Sequence, residues 1–227
     1  MFAFTLPSHA QLRHIDLNPG AFEGVSVSGD FVLSVFEGDS CSVSLDVSEE
    51  FTEFMSAQVI DSVLVLSLDE NNDLGEIWKK FRGRNAPAAV FRASVTMPRG
   101  LKSISIGGNA VLDSLGNVVD SSSFSLSVKD NASVSGVSLC ARDVSLMLSK
   151  KGKADVSIAC DTARVTAVGS SELNLGCSAS SLAELDLGSN ASMVFDGDCG
   201  RISMVSNGTS KAILNGSSPY VSYRLGG

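Results

Sequence analysis

The stretch Leu126-Ser-Val-Lys-Asp-Asn-Ala-Ser-Val134 decides the fold, because it holds one unit of a repeat: an alternating apolar strand, a polar corner and a second alternating strand. Similar units recur between Leu101 and Ser218, at residues 104–112, 126–134, 148–156, 165–173, 185–193 and 204–212. We anchor them on the residue after each corner, at Ala110, Ala132, Ala154, Ser171, Ala191 and Ser210, with spacings of 22, 22, 17, 20 and 19 residues. Such a period, with two-residue alternation, predicts a parallel β-solenoid of six coils.

The corners of the repeat favour one backbone geometry. The residue before the anchor is Asn109, Asn131 and Asn190 in three of the six units. Asparagine tolerates the left-handed backbone region better than most residues, and stacked asparagines can hydrogen-bond from coil to coil. We therefore expect these positions to be left-handed and to allow an asparagine ladder.

The chain before the repeat has a different composition. Nine of the eleven Phe residues and the only Trp precede residue 100. We predict an all-β chain: a parallel β-helix (β-solenoid), expected to be right-handed, with an aromatic-rich N-terminal β cap that blocks one sheet end. The predicted parts are an extension or first edge strand (1–20), the N-terminal β region (21–100), the six-copy solenoid (101–218) and a C-terminal cap or tail (219–227).

Charge and hydropathy exclude several classes of partner. The net charge is −8, from 17 basic and 25 acidic residues, which argues against nucleic acid or an anionic membrane as the main partner. No apolar run approaches the roughly 18 residues of a membrane helix. The first ten residues end like an export signal but lack its basic start and full apolar stretch. We expect an exported protein whose signal segment is not visible here; a cytosolic protein is the alternative.

The segment from Leu74 to Pro87 is unlike the rest of the chain, because it is locally basic and carries the only Trp. Functional residues concentrate on such excursions between strands, which makes it a candidate binding loop. A solvated hairpin extension is the more ordinary interpretation. The residues concerned are Trp78, Lys79, Lys80, Arg82 and Arg84.

Four of the five cysteines recur in the repeat, at Cys140, Cys160, Cys177 and Cys199. Counted from the anchors, Cys160 and Cys177 both lie six residues on, and Cys140 and Cys199 eight, which predicts a ladder on a third side of the solenoid. We expect buried free thiols that act as small apolar residues. A Cys160–Cys177 disulfide is the alternative. Metal binding is disfavoured, since the repeat has no Cys-x-x-Cys and no His.

Nothing in the sequence demands catalysis or a cofactor. The only histidines, His9 and His14, lie in the N-terminal extension, so a Ser-His-Asp triad is disfavoured. Parallel β-helices can cleave polysaccharides, but the acidic residues of the repeat are interleaved with basic ones like an ordinary solvated surface. The repeat also lacks the exposed aromatic residues on which sugar rings stack.

The order of several motifs resembles the putative auto-transporter adhesin head GIN domain family. The resemblance covers about residues 20–217 and rests on Phe22–Gly38, Val63-Leu-Val-Leu66 and Val95-Thr-Met-Pro98, followed by the glycine-rich repeats. It implies an exported β-solenoid of Gram-negative bacteria, and it carries over no catalytic residues.

Three functional hypotheses follow. The first is a non-enzymatic adhesin or scaffold of the cell surface or periplasm that binds a glycan or a cell-surface protein. The second is a carbohydrate-binding or polysaccharide-cleaving β-helix. The third is an intracellular regulator or structural domain. A concave face that gathers two carboxylates with a basic residue would favour the second.

Overall fold

A computed structural model describes residues 11–69, 74–82 and 86–226. Within them the chain forms eighteen strands, a short 3₁₀ helix and one α-helix. The strands of the first half are β1 (Leu12–Leu17), β2 (Gly24–Gly29), β3 (Val32–Glu37), β4 (Ser42–Ser48), β5 (Met55–Ile60), β6 (Val63–Leu68), β7 (Phe91–Met97), β8 (Ser103–Gly108) and β9 (Val111–Leu115). Those of the second half are β10 (Ser123–Val128), β11 (Ser133–Cys140), β12 (Asp143–Leu148), β13 (Lys153–Ala167), β14 (Glu172–Leu187), β15 (Ser192–Cys199), β16 (Ile202–Asn207), β17 (Lys211–Ser217) and β18 (Val221–Gly226). The 3₁₀ helix spans Glu49–Phe54, and α1 spans Leu74–Lys80.

The strands stack in parallel on two sides, which gives the β-solenoid that the sequence predicts. Side A contains, in spatial order, β6, β2, β8, β10, β12, the second halves of β13 and β14, β16 and β18. Side B contains β7, β3, β9, β11, the first halves of β13 and β14, β15 and β17. Alternate side chains point inward, as in Leu173, Leu175 and Cys177 of β14, and form a thin core between the two sides.

The register corrects the third unit of the repeat. Lys153 lies opposite both Ser133 and Glu172, so the residue equivalent to Ala132 and Ser171 is Gly152 and not Ala154. The anchor spacings are then 22, 20, 19, 20 and 19 residues. In this unit the anchor position needs glycine, because a Cβ at Gly152 would lie 2.6 Å from the carbonyl oxygen of Val128. The other units have Ala or Ser at the anchor, so the nearby Ala154 was mistaken for it.

The corners also differ from the prediction by one residue. The left-handed residue is the second before the anchor, at Gly108, Asp130, Lys150, Gly169, Ser189 and Gly208. Asn109 and Asn131 instead use their side chains between coils: the Asn131 amide donates to Asn109 Oδ1 (3.1 Å), and the Asn109 amide donates to Asp30 (2.7 Å). The asparagines therefore form a short ladder, but the backbone strain sits on the neighbouring residue.

The N-terminal region contributes coils of its own. Val25 of β2 lies between Leu64 of β6 and Ile104 of β8, and β3 lies likewise between β7 and β9. Beyond them the sheets end in antiparallel strands: β5 pairs with β6 on side A, and β4 and then β1 extend side B from β7. The coil of β2 and β3 is thus built into the stack.

The two ends of the solenoid differ. At the N-terminal end Phe51 is fully buried beneath Trp78, Phe81 and Phe91, with ring centroids 4.7, 5.1 and 5.0 Å away. At the other end, the residues expected to belong to a cap or tail form β18, which adds one more strand to side A. The two tyrosines there, Tyr220 and Tyr223, are 66% and 71% exposed.

Candidate functional site

The basic segment after β6 is helical where the sequence predicts a solvated hairpin extension. Trp78 faces the aromatic core, 4.7 Å from Phe51 and 5.8 Å from Phe91 between ring centroids. Lys79 bonds to Glu76 one turn earlier (2.5 Å), and Lys80 and Arg82 are exposed. Arg84 lies outside the described residues. The structure therefore separates the tryptophan, which packs, from the basic side chains, which face solvent.

The cysteines are free thiols, but they do not form one straight ladder. Cys160 and Cys199 both lie opposite Ala179, whereas Cys177 lies opposite Ile158. Cys160 and Cys177 thus sit diagonally, because the anchor of the third unit is Gly152. Cys140 is exposed, since a bulge after Ser135 shifts β11 by one residue and turns this side chain outward.

Three of these thiols cluster inside the coil. Cys177 and Cys199 are buried and Cys160 is partly buried. Burial raises the pKa of Cys160 to about 11, with Cys199 and Asp161 adding unfavourable negative charge. Burial also raises the pKa of Cys177, assisted by its two thiol neighbours. Cys160 and Cys177 therefore remain neutral near pH 7, which makes them weak nucleophiles and suits a packing role.

A concave surface runs along the second half of the side-B strands, where the sequence predicts a third side. Two adjoining cavities of about 660 and 700 Å³ share a column of residues from neighbouring coils, and we call them together the lateral groove. The shared column is Cys140, Ala159, Ser178 and Asp198. The surface is recessed because its outward positions carry small side chains over four successive coils.

Charged groups border the lateral groove at one edge. Asp161 accepts a hydrogen bond from the Ser180 hydroxyl (2.6 Å), and Asp198 accepts bonds from the Ser217 amide (3.0 Å) and hydroxyl (2.5 Å). Arg142 also lines this part, with its Nε 3.2 Å from Asp143. Two carboxylates and a guanidinium thus line the groove, and these groups can accept and donate hydrogen bonds to a hydroxyl-rich ligand.

An exposed aromatic ring stands beside this edge. Pro219 lines both the lateral groove and a smaller hollow of about 390 Å³ with Tyr220, whose ring lies 5.7 Å from the Arg201 guanidinium carbon. Tyr220 is not among the site residues predicted from the sequence, because both tyrosines fall in the expected C-terminal cap or tail. Pro219 could have indicated the position of Tyr220. A proline at a strand boundary cannot donate a backbone hydrogen bond to the neighbouring strand, so the next residue lies at a turn.

The histidine that the structure describes lies outside the lateral groove. His14 lies on β1, where hydrogen bonding to Asp46 raises its pKa, and it is far along the fold from the groove-lining strands. Among the residues that the structure describes, no group of three or more His, Cys, Asp or Glu side chains is placed to hold a metal ion. The helices in the described ranges are too short and polar to cross a membrane.

Comparison with known proteins gives one family. Residues 21–216 match the family model described as "Putative auto-transporter adhesin, head GIN domain". No curated protein matches the chain.

Several solved structures share the fold. A putative adhesin from Bacteroides fragilis superposes with a TM-score of 0.63 at 17% identity, over 97% of this chain and 98% of that one. A putative adhesin from Parabacteroides merdae gives 0.61 at 11% identity, over 95% of each chain. A third, from Parabacteroides distasonis, gives 0.57 at 12% identity, over 95% of this chain and 79% of that one. At these identities the likeness concerns the fold alone.

Proposed function

Because this chain belongs to the family of putative auto-transporter adhesin head GIN domains, we propose that it is a non-enzymatic, exported β-solenoid that binds a glycan or a protein at a cell surface. The family supports the adhesin role and a location in the periplasm, at the outer membrane or on the cell surface. The proposed binding site is the lateral groove.

One observation carries this assignment: the lateral groove is a recessed strip of small side chains that continues over several coils. An open strip of this kind fits an extended ligand better than a small metabolite, which is usually enclosed on most sides. Ala159 lies at its centre, because it lines both cavities and points outward.

A groove-filling substitution tests the proposal. Ala159→Trp adds a bulky ring in the middle of the groove without disturbing the inward core. In a glycan-array and cell-binding screen of the purified protein, we expect it to reduce binding at least tenfold. Met147→Trp is the matched control, since Met147 is 48% exposed on side A and lies outside the groove. Undiminished binding by Ala159→Trp, with thermal unfolding unchanged in both variants, would show that the groove is not the site.

A second candidate, polysaccharide cleavage, has one specific observation in its favour. Asp161, Asp198 and Arg142 line one concave surface, and a paired-carboxylate mechanism needs two acidic side chains in one cleft. Against it, each carboxylate already accepts a hydrogen bond from a serine hydroxyl, which favours a recognition role.

Acidic polysaccharides separate the two candidates. We expect purified protein to leave pectin-like and alginate-like chains intact when reducing ends and unsaturated products are measured. Depolymerisation that is lost in both Asp161→Asn and Asp198→Asn would overturn the non-enzymatic assignment. If these variants weaken glycan binding in the absence of any turnover, the carboxylates act in recognition.

A further inference from the structure

At the C-terminal end of the described stack, the last strands have inward-pointing side chains that no other described coil covers. By register, Val221, Tyr223 and Leu225 of β18 continue the inward column of Ile202, Met204 and Ser206. The three residues of β16 are buried, with exposures of 5%, 9% and 8%, whereas those of β18 are 55%, 71% and 70% exposed. On side B, Leu214 continues the column of the fully buried Phe195 and is 37% exposed.

The backbone at this end is also open. Among the described strands, β18 pairs with β16 alone and β17 with β15 alone, so each has one unpaired edge. Two adjacent strand edges with an apolar interior between them have the same form as the surface that each coil of the solenoid presents to the next. At the opposite end, antiparallel strands and the aromatic cluster around Phe51 cover this surface.

We propose that this end docks against the same end of a second copy, so that β18 pairs antiparallel with β18 and β17 with β17 about a two-fold axis. The proposal does not depend on the function of the lateral groove. A two-fold axis that runs from side A to side B, perpendicular to both sheets, reverses the direction of both strands in the second copy. The free backbone groups of β17 and β18 can then form antiparallel hydrogen bonds in the same contact.

The sequence of the end strands suits pairing of like with like. A β18 register centred on Tyr223 places Val221 opposite Leu225 of the other copy and Ser222 opposite Arg224. A β17 register centred on Leu214 places Lys211 opposite Ser217. Both strands lack Asp and Glu, and neither register sets like charges against each other, an arrangement that would be unfavourable.

Charge complementarity adds to this register. Ser217 lies next to Asp198 and donates to its carboxylate from both its amide and its hydroxyl. In the proposed register, Lys211 of the second copy lies opposite Ser217. Asp198, Ser217 and this lysine then occupy one row across three neighbouring strands. The two strand spacings that separate them, roughly 10 Å between Cα atoms, are within reach of a lysine side chain that meets a carboxylate. The two-fold axis makes this pair twice.

The size of the contact sets its expected strength. Two strands of six or seven residues, with the sides about 10 Å apart, give an end face of roughly 400–500 Å² per copy. Doubling this gives about 800–1,000 Å², the size of a weak, transient interface. We therefore expect a reversible dimer with a dissociation constant in the micromolar range.

Sedimentation of the purified full chain from about 1 µM to 1 mM tests the proposal. We expect a monomer–dimer equilibrium for the parent protein and a monomer at all concentrations for Tyr223→Lys, because the substitution brings two like charges together on the axis. Met147→Lys, on the exposed side A, should keep the parent's dissociation constant. A monomeric parent, or a Tyr223→Lys variant that dimerises like the parent, would overturn the proposal.

A cross-link identifies the geometry. In a Cys140→Ser background, Tyr223→Cys should form a disulfide-linked dimer on mild oxidation at concentrations where the parent associates, because residue 223 meets its own copy on the axis. Met147→Cys is the matched control and should remain monomeric. Dimerisation without a 223–223 cross-link would contradict end-to-end pairing and indicate another face.

Discussion

At the scale of single residues, close stacking of coils restricts which side chain a position accepts. A Cβ at Gly197 would fall far inside contact distance of the Cys177 carbonyl oxygen, which belongs to the coil below. Gly216 bears the same relation to Gly197 one coil further on. These glycines form a column without side chains, and they let the backbones of three coils approach each other.

We expect Gly197→Ala to lower the free energy of unfolding by about 2 kcal/mol or more, because the added methyl group meets main-chain atoms that cannot rotate away. Gly75→Ala is the matched control: its Cβ has nothing within 4 Å, and alanine favours the helix by up to about 1 kcal/mol. Urea unfolding of both variants measures the difference. Equal stabilities would show that the coils can separate locally at no cost.

The residue scale also shows where sequence reasoning fails. The alternation of apolar residues predicted the strands, since inward positions of a solenoid must be buried in every coil. The anchor of the third unit was wrong because Ala154 resembles the alanines of other corners, whereas the close approach to Val128 selects Gly152. In the sequence, a close backbone contact between coils is visible only as a glycine. A nearby alanine can therefore be mistaken for the anchor residue.

At the scale of elements, α1 illustrates why the candidate site was harder to predict than the fold. Its composition, one Trp among basic residues, fits both a binding loop and an amphipathic cover. The contact of Trp78 with Phe51 favours the amphipathic cover over the binding loop. Because Phe51 lies 27 positions earlier in the chain, the local sequence around Trp78 does not predict this contact. The lateral groove was missed for a related reason: its Ser, Ala and Gly residues have no individual signature and form a concavity only when stacked.

We expect Trp78→Ala to lower the free energy of unfolding by about 2 kcal/mol, since it removes a partly buried ring from the cluster around Phe51. Lys80→Ala, two residues on and exposed, should change it by less than about 0.5 kcal/mol. Thermal and denaturant unfolding measure both. A ligand whose binding falls in Lys80→Ala while stability is unchanged would restore α1 as a binding element.

At the scale of the whole molecule, contacts join neighbouring coils, so stability depends on position along the stack. The central coils, which include β12, β13 and β14, have a coil on both sides. Within the part of the chain that the structure describes, β17 and β18 have a coil on one side only, and their side chains are largely exposed. The overall architecture was predictable because each repeat carries the same information; the exposure of β17 and β18 was not, because it depends on contacts outside these strands.

Hydrogen exchange should reveal this gradient. We expect amides of β17 and β18 to exchange at least tenfold faster than those of β13 and β14 at a concentration where the protein is monomeric, because terminal coils open without disrupting the rest. Mass spectrometry of peptides from the exchanged protein measures the rates. Uniform protection from β13 to β18 would mean that the solenoid opens only as a whole.

The placement of β2 and β3 between later strands has a consequence for how the chain reaches its native state. Gly24 finds its partners at Val63 and Ser103, and Val32 finds its partners at Arg92 and Val111. A chain that leaves the ribosome N-terminus first therefore emits its earliest coil long before either neighbour exists. The repeats can add one after another by local contacts, but the junction with the first coil closes a loop of many tens of residues, so we expect it to form slowly. We therefore expect folding of this solenoid to start in its middle and to complete the coil of β2 and β3 late, although that coil is synthesised first.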